Sequence, residues 1–108
     1  MWDPISRSEL EALIAGDTSA MSSDLEALYA NAAIVPEKWQ QRPYGDEGEG
    51  FWAVAVHGSK VLWYNDIEDG FNVSRFDVRG RIPDDGYHCQ QDDLSVAVFR
   101  LFEMDVDS

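Results

Sequence analysis

Residues 51–66 read FWAVAVHGSKVLWYND, and this stretch decides the fold. Two runs rich in β-branched and aromatic residues flank Gly58-Ser59, a dipeptide suited to a type II′ turn, whose twist matches that of two antiparallel strands. The simplest register pairs His57 with Lys60, Val56 with Val61, Val54 with Trp63 and Trp52 with Asn65. Because side chains alternate along a strand, Val56, Val61, Val54, Trp63, Trp52 and Asn65 share one face, which is expected to be core. Phe51, Ala53, Ala55 and His57 then stand with Lys60, Leu62, Tyr64 and Asp66 on a mixed face that something should partly cover.

Outward from the hairpin, FNVSRFDV at 71–78 is a third strand candidate. Its alternation breaks between Val73 and Phe76, as a bulge or a twist near a sheet edge would cause. Upstream, Glu37 to Arg42 alternates in the manner of a partly exposed edge strand. The segments 43–50 and 79–87 are rich in turn residues and read as loops.

Both ends carry helical periodicity. Ser6 and Glu9 have capping-box spacing, Ile5 and Leu10 that of a hydrophobic staple, and Leu10, Leu13 and Ile14 form an apolar stripe; Gly16 is placed to cap a helix over 7–15. A second box, Ser23 with Glu26, precedes Leu25, Leu28, Tyr29, Ala32 and Ala33, with Pro36 forbidding continuation much past Ala33. Asp92 is placed to cap a last helix whose Leu94, Ala97, Val98, Leu101 and Phe102 repeat the same pattern, followed by a solvated tail. The expected fold is one small α+β domain over 1–108: two N-terminal helices, an antiparallel sheet of three to five strands centred on the 51–66 hairpin, and a C-terminal helix packed on the sheet.

A chain of 108 residues buries roughly 65% of its unfolded surface, enough for a core without metal or disulfide staples. It carries 21 acids against 8 bases, a net charge of -13, and one cysteine. That charge disfavours nucleic acid and anionic membranes as partners, because basic side chains supply the attraction to both. A single cysteine and a start, MWDPISRSEL, with neither a basic leader nor an apolar run point to a reducing cytoplasm. The longest apolar stretch, Phe51 to Val56, is strand-sized and too short to cross a bilayer.

The densest unusual run is Trp63 to Asn72, where aromatic strand ends meet the carboxylates Asp66, Glu68 and Asp69. Such a mouth suits a cation or a basic side chain of a partner, although turns also hold Asn, Asp and Gly for backbone reasons. An EF-hand is excluded, since counting from Asn65 the third and twelfth positions are Ile67 and Phe76; an irregular calcium site on Asp66, Glu68 and Asp69 has no support from spacing. His57, His88 and Cys89 do not make up a zinc set, and no metal or cofactor is expected. Cys89 beside His88 is expected to pack as a small hydrophobe, not to act as a nucleophile, and the pairs Glu47/Glu49, Asp84/Asp85 and Asp92/Asp93 read as charged loops. Arg75, Arg79 and Arg81 are expected to pair with neighbours such as Asp77 and Asp84.

With no catalytic constellation, the residues point to a non-enzymatic acidic protein-binding domain, of immunity or inhibitor type, that engages a basic protein. Its expected contact residues are Tyr64, Asp66, Glu68, Asp69, Arg75 and Arg79. Two alternatives stand beside it. One is a small-molecule binder or unorthodox enzyme with a pocket mouth at Trp63, Tyr64, Asp66 and Glu68; the other is a homodimer formed through Phe51, Leu62 and Tyr64.

Overall fold

A computed structural model describes residues 4–42, 44–45, 49–87 and 92–103. His88, Cys89, Glu47 and the tail residues 104–108 lie outside them. The chain forms α1 (Arg7–Ser19), α2 (Ser23–Ala32), β1 (Ala33–Trp39), β2 (Phe51–His57), β3 (Lys60–Asn65), β4 (Gly70–Arg75), a single 3₁₀ turn (Asp84–Gly86) and α3 (Leu94–Glu103). The strands make one antiparallel meander in the order β1-β2-β3-β4. The α+β architecture, with α3 packed on the sheet, is the one the hairpin and helix patterns imply.

At the hairpin tip His57 pairs with Lys60 and Val56 with Val61, and Gly58 has a φ of +61° while Ser59 stays outside the positive region, as a type II′ turn requires. Beyond that point the expected register fails. Val54 is an extra residue on β2, so Ala55 opposes Leu62, Ala53 opposes Trp63 and Trp52 opposes Tyr64. One inserted residue exchanges the faces of everything that precedes it. Trp63 and Trp52 consequently point to opposite sides of the sheet instead of sharing one.

Both sides are covered. On one, α1, α2 and α3 pack over Val54, Ala55, Leu62, Tyr64, Phe71 and Val73, with Trp52 at the margin. On the other, Trp39, Phe51, Ala53, Val61 and Trp63 are closed by Ile82 together with Phe76 and Tyr87. Every residue of β3 is buried, which explains why its sequence reads as a nearly continuous apolar run. The loop 76–87 thus acts as a lining for the second core.

The remaining differences are local. Gly16 is not a cap: α1 runs on to Ser19, with Ala20 as its C-cap. Ser22, not Ser23, caps α2 by accepting the Leu25 N–H at 3.3 Å. After Ala32 the backbone turns directly extended into β1, and Pro36 falls inside that edge strand where the register shifts between Ala33 and Glu37, a position that needs no ladder donor. Gln40 continues the chain as a single parallel bridge to Arg81. The break in alternation near Phe76 arises because β4 ends at Arg75.

Candidate functional site

The run Asn65 to Gly70 is first a turn. The Asn65 side-chain carbonyl accepts the N–H groups of Ile67 (3.1 Å) and Glu68 (3.3 Å), and Asp69 takes a positive φ of 57°, a conformation aspartate tolerates better than most residues. Asp66 turns back toward the N-terminus: its Oδ2 accepts the Ile5 N–H at 2.7 Å, while the Trp52 indole N–H donates to the Ile5 carbonyl at 3.0 Å. This fastens the lead-in of α1 to the sheet. The same carboxylate faces Lys38, whose ammonium is held below its usual pKa by burial, against the pull of Asp66 and Glu49.

Beside this turn lies a recess of about 210 Å³ lined by Leu13, Asp17, Tyr64, Asp69, Gly70, Phe71, Asp92 and Asp93. Four segments meet there: the last turns of α1, the end of β3, the start of β4 and the N-terminus of α3. Three of its carboxylates also hold the fold. Asp17 Oδ2 accepts the Leu94 N–H at 3.3 Å, Asp93 Oδ1 accepts the Val96 N–H at 3.1 Å, and Asp92 lies 2.9 Å from the Arg100 guanidinium. Asp93 therefore caps α3, where Asp92 was expected to. Asp92 instead lends its main-chain carbonyl to the Phe71 N–H at 2.8 Å.

Tyr64 forms the floor. Its side chain is only 7% exposed and packs edge-on to Phe71 with ring centroids 4.9 Å apart, yet its hydroxyl has no hydrogen-bond partner among the described residues. Burial raises the phenol pKa, and the carboxylates of Asp69, Asp66 and Asp17 raise it further. Asp69, exposed at the rim, makes no hydrogen bond or ion pair among the described residues. The recess thus presents carboxylate oxygens and a neutral phenol, with no basic side chain among the described residues that line it.

Of the six expected contact residues, Tyr64 and Asp69 come together here. Asp66 and Glu68 are half-buried and belong to the turn and the latch. Arg75 is exposed at the far end of β4, opposite Lys60. Arg79 reaches Glu37 at 3.3 Å, and Arg81 reaches Asp84 at 3.7 Å. Trp63 points to the other face, its indole N–H donating to Ser74 Oγ at 2.9 Å, so the mouth expected from Trp63, Tyr64, Asp66 and Glu68 does not assemble. Phe51, Leu62 and Tyr64, the residues expected to join two copies, are buried within the chain. Asp17, Phe71, Asp92 and Asp93 were not among the expected contacts; Phe71 stood within the run Trp63 to Asn72, the Asp92/Asp93 pair read as a charged loop, and Asp17 carried no signal.

Among the described residues no cluster of three or more His, Cys, Asp or Glu is placed to hold a metal ion, and no helix is long and apolar enough to cross a membrane. No family model, curated protein or solved structure matches this chain.

Proposed function

We propose that this protein is a non-enzymatic acidic binding domain, of immunity or inhibitor type, that engages a basic protein through the recess at the N-terminus of α3. The observation that supports this reading is the grouping of Asp17, Asp69, Asp92 and Asp93 around Tyr64, whose hydroxyl has no hydrogen-bond partner among the described residues, in a chain of net charge -13. The long-range field draws in a positively charged surface and speeds encounter, and the recess supplies the local contact. At about 210 Å³ it falls below the roughly 300–1,000 Å³ usual for small-molecule pockets, which favours a side chain over a free metabolite. The single cysteine suits a reducing cytoplasm, and the charge opposes nucleic acid as a ligand.

The test is retention of basic proteins from a cell lysate on the immobilised chain, at low and high salt, with Asp69→Asn as control. Asparagine keeps both the size and the left-handed backbone of Asp69, so only charge is removed. Basic proteins are expected on the wild-type chain at low salt, released by high salt and depleted on the variant. Capture indifferent to salt and to Asp69 rejects the reading.

A further inference from the structure

Building on that reading, we infer that the recess is a seat for a single guanidinium group, so that the partner inserts an arginine side chain there. The placement of the acceptors is what selects this group. Asp17, Asp69, Asp92 and Asp93 line one hollow, yet among the described residues no three carboxylates converge as a metal ion requires. A compact point charge is held best where acceptors gather about one centre, the arrangement a divalent cation needs. A guanidinium carries five N–H donors in one plane and engages several at once.

The acceptors left over by the fold match that requirement. Asp17 and Asp93 each use one oxygen on a helix amide and retain the other, Asp69 retains both, and the Tyr64 hydroxyl adds a neutral acceptor on the floor. Asp92 is already compensated by Arg100, and the amides at the start of α3 that would attract an anion are occupied by Asp17 and Asp93. Phe71 and Tyr64, buried against each other with ring centroids 4.9 Å apart, back the recess with apolar side chain.

The experiment is an amide chemical-shift titration of the full chain with three capped amino acids as probes: arginine, lysine and citrulline, the last an uncharged near-isostere of arginine. The arginine probe is expected to shift the amides of Gly70, Phe71, Leu94 and Val96, to bind at least several-fold tighter than the lysine probe, and the citrulline probe to leave those amides unmoved. Asp69→Asn should weaken the arginine probe roughly tenfold, as loss of a charge-assisted hydrogen bond does. Tyr64→Phe, which keeps the packed ring, should weaken it by a smaller factor. Equal binding of arginine and lysine at the recess overturns the guanidinium assignment while leaving the basic-partner reading intact. Shifts confined to other acidic surfaces, or insensitive to both substitutions, overturn the seat itself, and the lysate experiment then judges the wider reading separately.

Discussion

Tyr29 and Tyr64 both show what a phenol does when a helix-packed core closes over it. Tyr29 is 9% exposed, and burial alone pushes its pKa up to about 12. A raised folded pKa means the folded state favours the neutral phenol, so Tyr29 leaves stability untouched below pH 10 and subtracts from it as pH rises from 10 toward about 12. Tyr29→Phe is therefore expected to shift the alkaline unfolding midpoint upward. An ultraviolet titration of tyrosinate should lose a late component in the variant. Near neutral pH the same substitution should change stability by less than about 0.5 kcal/mol, because its hydroxyl has no described hydrogen-bond partner to lose. Trp63 is the opposite case. It is fully buried, and its N–H donates to Ser74 Oγ, which in turn donates to the Gly86 carbonyl. Trp63→Ala should cost about 3–5 kcal/mol in chemical denaturation, the range for deleting a buried large aromatic.

At the scale of elements, the same glycine chemistry gives opposite signs in two places. Gly16 lies inside α1, and a Cβ added there would meet nothing within 4 Å, so Gly16→Ala should stabilise the domain by about 0.5–1 kcal/mol, read as a rise in the thermal midpoint. Gly50 has a φ of +104°, and a Cβ there would lie 2.2 Å from the Trp39 carbonyl oxygen; Gly50→Ala should unfold the β1–β2 junction and cost well over about 2 kcal/mol. Neither environment is written in the sequence, which shows a glycine near a helix end and another in a turn-rich loop. What the sequence does carry is local pattern: the Ser6–Glu9 box forms with both of its hydrogen bonds, and the β2–β3 turn and its first two pairs form as expected. The bulge at Val54 was illegible because nothing in FWAVAVH distinguishes it from a regular strand; both of its faces turn out to be buried, so apolar residues are equally acceptable on either. The recess was half legible for the same reason. Tyr64 and Asp69 stand out within one aromatic and acidic run, whereas Asp17 and Asp93 join them only through the packing of α1 and α3.

For the molecule as a whole, the recess exists because the helical layer is tied to the sheet by polar bonds at one end. Ile5 is fastened by Asp66 and Trp52, Asp17 reaches the first turn of α3, and the Phe71 N–H takes the Asp92 carbonyl. Two aspartates three residues apart in one turn therefore have different tasks, one holding the chain together and one facing outward. Asp66→Ala removes the acceptor of a half-buried amide and a charge facing Lys38, and should cost about 1.5–3 kcal/mol in denaturant unfolding. Hydrogen exchange should show the loss first at Ile5 and the opening turn of α1, since that is where the released backbone lies. Asp69→Asn should leave the same unfolding curve within about 0.5 kcal/mol while depleting bound basic protein. If instead Asp69→Asn destabilises as much as Asp66→Ala, Asp69 is a structural turn residue like its neighbours. If Asp66→Ala leaves both stability and exchange unchanged, the helical layer does not depend on this latch, and the position of Asp17 over Tyr64 must be maintained by the apolar packing of α1 against α3 alone.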